Sequence, residues 1–308
     1  MTFSIVARDP LTGDLGIAVA SKFLAVGAVV PHARAGVGAM ATQALANVSF
    51  GPDGLAMLES GADASSVTRR LAEGDDGRTH RQFGVVDAAG GSATYTGTEC
   101  LDWAGGRTAD GAAGQGNILT GPDVVDALID TFGAGGRPFP ELLVAALRAA
   151  DELGGDRRGR QSAALLVVRQ GGGYGGGNDR WIDLRVDDHG DPIDELARLL
   201  ALNRLYMGRP RPEDLLPIDA ELAGELRQSL AAAGYTPQSV ARGGGLAELV
   251  DAAAATVIGE PRAARDDWDA GWEAALVEWM SVENLEERLA AHGWIDPRVL
   301  EHLRGRRA

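Results

Sequence analysis

Lysine is nearly missing from this chain. Its 308 residues carry 29 basic side chains, and Lys22 is the single lysine among them, so every other cation is an arginine. Cysteine is equally scarce. Cys100 stands alone and cannot close an intrachain disulfide, so nothing calls for an oxidising compartment, and a lone thiol reads as a small core hydrophobe. There is no excess of positive charge: 44 acids set the formal charge at −15, which repels phosphate backbones and anionic lipid heads. Nucleic acid and membrane surfaces are therefore excluded as expected partners. Long hydrophobic runs are absent too. The longest, residues 15–30, is interrupted by Ser21 and Lys22 and is too short to span a bilayer. The opening residues lack a basic segment followed by an apolar one, so no secretory signal is read and a cytoplasmic location is expected.

What is present is ordinary globular material. Hydrophobic residues make up 45% and charged residues 24%, enough to fill a sizeable core, and the length suits two domains. Residues 2–8 are β-branched and aromatic, Asp9-Pro-Leu-Thr-Gly13 is a turn, and residues 15–23 form the returning strand. Further strands are expected at 28–31, 36–42, 83–87, 92–96, 114–119, 162–169 and 181–186, with helices at 55–60, 64–73, 123–131, 140–153 and 192–206. The Gly171–Gly177 run lacks the spacing and the following Lys-Ser/Thr of a phosphate loop and reads as a hairpin loop. Gly208-Arg-Pro-Arg-Pro212 breaks the chain. Beyond it only helices are expected, at 219–232, 246–257, 267–280 and 282–292. The organisation is an α+β domain over 1–207, a linker over 208–216 and a small all-α domain over 217–308. Trp268, Trp272 and Trp279 recur at helical spacing and read as a packed stripe.

Two residues carry chemical interest. Removal of Met1 exposes at Thr2 a hydroxyl and a free α-amine together, a pair in which the amine serves as base for its own hydroxyl. An α-amine with a pKa of about 7.7–8.0 accepts a proton near neutrality, and a nearby ammonium lowers that value further. Lys22, on the strand returning beside Thr2, is the candidate ammonium if the register runs from Thr2 to about Lys22. Small second residues are common in ordinary proteins, and one surviving lysine is equally a matter of composition. Both readings stay open at this level.

Motifs narrow the choice. Thr2-Phe-Ser-Ile-Val-Ala-Arg-Asp-Pro10, Ala18-Val-Ala-Ser-Lys-Phe-Leu-Ala-Val-Gly-Ala-Val-Val30, Ala41-Thr-Gln-Ala44 with Asn47, Gln115-Gly-Asn117, residues 155–164 and Asp183-Leu-Arg-Val-Asp-Asp-His189 resemble the bacterial family called domain of unknown function 1028, over about residues 2–207. The tail, through Glu278-Trp-Met-Ser-Val-Glu-Asn-Leu-Glu-Glu-Arg288 and Ile295-Asp-Pro297, resembles a peptidoglycan-binding-like domain. The first resemblance implies a branch of the N-terminal-nucleophile (Ntn) hydrolases: a four-layer αββα sandwich that splits amides through an acyl ester. It implies Thr2 as nucleophile and base, Lys22 as electrostatic support, and Gln43 and Asn117 as oxyanion or substrate-amide donors, although strand-end capping explains those two amides equally well. It also proposes Asp156, Gln161 and Ser162 as residues that orient the terminal amine; Gly159 stands three residues before Ser162, where proteasome-like relatives have Asp. Asp183, Asp187, Asp188 and His189 do not match zinc or calcium spacing, so no metal and no cofactor is expected. The expected ligand is a small amide and the expected assembly a homodimer. The competing reading is a binding or scaffold protein that keeps the fold without the chemistry.

Overall fold

The computed structural model describes residues 2–240 and 268–305, and the chain divides into two compact units, residues 1–200 and 201–308. The helix expected at 246–257 lies outside the described residues.

The first unit is mixed α/β with antiparallel sheets. Its strands are β1 (Thr2–Arg8), β2 (Leu15–Ser21), β3 (Pro31–Arg34), β4 (Gly38–Ala44), β5 (Arg81–Asp87), β6 (Ser92–Thr96), β7 (Gly105–Ala109), β8 (Ala112–Asn117), β9 (Ser162–Val168) and β10 (Arg180–Val186). Its helices are α1 (Phe50–Glu59), α2 (Ala64–Glu73), α3 (Asp123–Ala134), α4 (Phe139–Glu152) and α5 (Pro192–Tyr206), the last running into the second unit. One sheet has six strands in the order β10-β9-β2-β1-β8-β7; the other has four in the order β3-β4-β5-β6. The β1–β2 hairpin turns where expected: Asp9 accepts from the Leu11 amide and the Thr12 hydroxyl, each at 2.9 Å, and Gly13 supplies the left-handed φ of 79°.

Alternation along the strands sorts the side chains into layers. On β1, Phe3, Ile5 and Ala7 pack against Leu128, Leu143 and Leu147 of α3 and α4. Val6 points the other way, into a second core with Ile17, Val19, Ala39, Ala41 and Val86 between the two sheets. Met40, Phe83 and Val85 on the far face of the smaller sheet pack against Leu55, Leu58, Val67 and Leu71 of α1 and α2. The order is helices, six strands, four strands, helices, and each buried Leu or Phe contributes about 1.5–3 kcal/mol.

Several elements differ from the sequence reading. Residues 28–31 do not make a strand: Val26–Ala28 is a single 3-10 turn and the strand starts at Pro31. Helix α1 begins at Phe50, so Gly51-Pro-Asp-Gly54, which the sequence marks as a helix start ahead of residues 55–60, forms its first turn, with Pro52 tolerated there. Strand β7, with sequence Gly-Gly-Arg-Thr-Ala, is a polar edge strand with no apolar alternation to announce it. In the second unit, helix Ala270–Val282 ends where Asn284 turns left-handed at φ 58°, so the helix expected over 282–292 is replaced by a single turn, Glu286–Arg288. Trp294–Ile295 pairs with Leu216–Pro217, so this unit is not purely helical, and Pro297–Gly305 is a helix the pattern did not indicate. Trp268 and Trp279 are buried in its core with Leu226, Leu230 and Leu300. Among the described residues no helix is long and apolar enough to cross a membrane.

Candidate functional site

The apolar filling between the sheets stops before one edge of the sandwich. Following the inward face of β1 from Val6 leads to Ser4 and then Thr2. The same progression on the neighbouring strands gives Ser21 on β2, Gln115 and Asn117 on β8, Gln43 on β4 and Gln82 on β5. All seven are buried. This edge collects the start of β1 and the ends of β2, β4 and β8.

The Thr2 hydroxyl lies 3.1 Å from the Ser21 hydroxyl. The register explains the pair, since Phe3 stands opposite Ala20 and the next step brings Thr2 beside Ser21. Lys22 is one residue further and, by strand alternation, on the other face. Its backbone amide donates to Asp156 Oδ2 at 2.8 Å, and its exposed ammonium donates to the Arg160 carbonyl at 3.2 Å. The expected register of Thr2 with Lys22 is thus one residue off, and the neighbour of Thr2 is a hydroxyl rather than an ammonium.

Behind Thr2 runs a chain of amides with one direction. Gln115 Nε2 donates to Ser4 Oγ at 2.7 Å; Ser4 Oγ donates to Gln43 Oε1 at 2.7 Å; Gln43 Nε2 donates to Gln82 Oε1 at 2.8 Å; Gln82 Nε2 donates to the Gly116 carbonyl at 2.7 Å. Gln43 Nε2 also reaches the Thr2 carbonyl at 3.2 Å, and Asn117 Nδ2 donates to Gln82 Oε1 at 2.9 Å. Gln82 therefore ties both sheets together, and its carbonyl orients Gln43 and Asn117. Room for Gln115 comes from Gly84, where a Cβ would lie 2.1 Å from Gln115 Oε1.

The other residues proposed from sequence fall around this cluster rather than in it. Asp156 is buried and caps its own loop, accepting from the Lys22 and Arg158 amides, so it fastens residues 154–161 to the end of β2. Ser162 stands opposite Ser21 in register, but its hydroxyl donates to the Phe23 carbonyl and accepts from the Val26 amide at 3.1 Å, holding the turn in which Ala25 is left-handed. Gln161 points to Asp188 at 3.1 Å. The structure thus unites Thr2, Gln43 and Asn117, adds Ser4, Ser21, Gln82 and Gln115, and leaves Lys22, Gln161 and Ser162 in supporting turns. Among the added residues Gln115 lies in the Gln115-Gly-Asn117 motif, whereas Gln82 and Ser21 are recognised only from the strands they face.

Asp183 is engaged by Arg180 at 2.7 Å and Arg185 at 3.0 Å. Among the described residues no three His, Cys, Asp or Glu side chains converge on a metal position. Cys100 donates to the Arg81 carbonyl at 3.4 Å, and burial pushes its thiol up from the ordinary value, keeping it protonated.

The fold and the cluster define a class: a two-sheet, helix-flanked α/β protein with hydroxyls and side-chain amides gathered where its central strand begins. Residues 2–196 match the family of unknown function DUF1028, and the chain belongs to that family. Residues 259–303 match a peptidoglycan-binding-like domain family. Among solved structures, the chain is similar to the crystal structure of protein SPO2555 from Silicibacter pomeroyi, with 32% identity and a TM-score of 0.60, over 66% of this chain and 89% of that one. No curated protein matches the chain.

Proposed function

We propose that the chain is an N-terminal-threonine amidohydrolase of the Ntn type, acting on a small amide. The observation that carries this reading is the Thr2 hydroxyl, buried on the first residue of the central strand and within 3.1 Å of Ser21 Oγ, with the Gln43 and Asn117 amides behind it. The layer order of helices, two sheets and helices supports the same superfamily.

The chemistry runs in two halves. With Met1 removed, the α-amine takes the Thr2 hydroxyl proton as the oxygen attacks the substrate carbonyl; the proton passes to the departing nitrogen as the C–N bond breaks and an acyl ester forms. Water, deprotonated by the same amine, adds to the ester, and the carboxylate leaves as the hydroxyl is restored. Ser21 is the candidate relay for that proton, since a hydroxyl both donates and accepts. Gln43 takes a narrower role than its sequence position suggested. Its amide is spent on Gln82 and the Thr2 carbonyl, so it positions the nucleophile's backbone. Asn117 has one N–H given to Gln82 and keeps its place as a candidate oxyanion donor.

The second reading is a non-catalytic binding or scaffold protein, favoured by the engagement of the Gln43 amide with Gln82 and the Thr2 carbonyl. Intact mass before and after a threonine-reactive β-lactone separates the two. A chain lacking Met1 that gains one probe equivalent, with no gain in Thr2→Ala, is expected. Retained Met1, or a processed chain that stays unlabelled, transfers the weight to the scaffold reading.

A further inference from the structure

The outer face of the smaller sheet holds an open pocket of about 520 Å³ between α2 and β6. Ala93 and Tyr95, two residues apart on β6, share the face that packs against the core beneath the helices, and they form the floor. Helix α2 supplies a wall through Thr68, Arg69 and Glu73. Arg78, which opens the single turn Arg78–His80 ahead of β5, also lines it. The amide cluster lies on the opposite face of this sheet, where Gln43 and Gln82 meet Thr2 and Asn117. The pocket is therefore separate from the candidate nucleophile.

Its charged lining is two guanidiniums and one carboxylate, and among the described residues none of the three has an ion-pair partner. Arg69 and Glu73 stand four residues apart on α2, the spacing at which opposite charges meet on a helix, yet they are not joined. Arg69 reaches the Ser66 hydroxyl and Arg78 the Asp75 carbonyl, each at 3.4 Å. Elsewhere in this unit arginines are joined to carboxylates: Arg34 to Glu59, Arg107 to Asp126 and Arg169 to Asp14. Two of the acids near the pocket are engaged. Asp63 caps α2 by accepting from the Ser66 amide at 2.7 Å, and Asp75 is held by Arg81 at 2.6 Å. Asp76 is exposed and does not line the pocket. A further lining group lacks a partner. Thr68 is 8% exposed, and among the described residues its hydroxyl makes no hydrogen bond, although a helical threonine can donate to the carbonyl one turn back. A buried hydroxyl in that state calls for a reason, and a polar ligand in the pocket is one.

We infer that this pocket binds an acidic α-amino acid, with a carboxylate on each of Arg69 and Arg78 and the ammonium on Glu73. The ligand's charges, two negative and one positive, are the inverse of the lining's. A guanidinium suits the task because it takes a carboxylate through two parallel N–H donors, and such charge-assisted bonds are about twice as strong as neutral ones. The Tyr95 ring, stacked on Phe83 at 5.3 Å, gives the ligand's methylenes a fixed apolar surface. The volume falls within the range of small-molecule sites. Nothing in this assignment depends on the chemistry of Thr2.

The test titrates glutamate, glutarate and glutamine into the full chain by calorimetry. Glutarate lacks the ammonium and glutamine lacks one carboxylate, so glutamate is expected to bind about tenfold tighter than either, the usual worth of a hydrogen bond to a charged group. Arg69→Gln and Arg78→Gln are each expected to weaken glutamate by a similar factor, with the melting temperature of the unliganded variants confirming that they fold. Glu73→Gln is expected to weaken glutamate and to tighten glutarate, a reversal that damage to the fold does not produce. Thr2→Ala is expected to bind glutamate unchanged. The assignment is overturned by the absence of saturable heat with glutamate up to about 10 mM, well past millimolar affinity. Equal binding of glutamate and glutarate, or unchanged binding in both arginine variants, overturns it as well. So does weakened binding in Thr2→Ala, which would move the ligand to the nucleophile.

Discussion

At the scale of single residues, the candidate site is a problem of satisfying buried amides. Gln82 receives two donors on one oxygen, from Gln43 and Asn117, and both sit where water does not reach. Gln82→Leu removes that oxygen and strands them, so a loss of about 1–3 kcal/mol per orphaned donor is expected in chemical denaturation. Stability unchanged within 0.5 kcal/mol, a value at the level of ordinary surface substitutions, would show that the donors find other partners. Thr2, Gln43 and Asn117 could be named from the sequence because motifs mark them. Gln82 and Ser21 could not, because a glutamine or serine in a strand is meaningful only once its neighbours across two sheets are known. Lys22 was misplaced for the mirror-image reason. Its rarity drew attention to it, but a one-residue shift in register puts a side chain on the opposite face.

At the scale of elements, most strands and helices of the first unit were legible, since their apolar residues recur with the period of the element. What was not legible depended on contact. In helix α1 Gly51 and Gly54 let the first turns settle on β3 and β4: a Cβ at Gly51 would lie 2.2 Å from His32 Cγ. Burial beneath that helix holds the His32 imidazole pKa below its ordinary 6.5, while its bond to the Val29 carbonyl opposes the shift weakly. A histidine with a lowered folded-state pKa binds its proton more readily when unfolded. Its contribution to stability is therefore complete above about 6.5 and is lost as pH falls from there through the lower folded-state value. The melting temperature is expected to drop between pH 7.5 and pH 5.5, and to drop less in His32→Phe, which keeps a flat ring and removes the titration. An identical drop in the two proteins would assign the acid sensitivity elsewhere.

At the scale of the whole molecule, the second unit has its own core and its own weak point. Arg288 and Asp296 are both 4% exposed and paired, and the Arg288 guanidinium also donates to the Leu205 and Arg204 carbonyls. Breaking a buried pair from one side leaves a bare charge, at about 3–5 kcal/mol. Arg288→Met is expected to lower one calorimetric transition, that of residues 201–308, and to leave β-lactone labelling of Thr2 unaltered. A single transition that shifts as a whole would mean that the two units melt together. The first unit contains a contrast of another kind, in what lies between its sheets. Hydrocarbon fills one half, from Val6 and Ile17 to Val86, and hydrogen-bonded amides fill the other, from Ser4 to Asn117. Hydrocarbon contact loses strength in the cold, whereas hydrogen bonds do not depend on that effect. On chilling, the hydrocarbon half between the sheets therefore gives up part of its stabilisation while the amide half beside Thr2 does not share that loss.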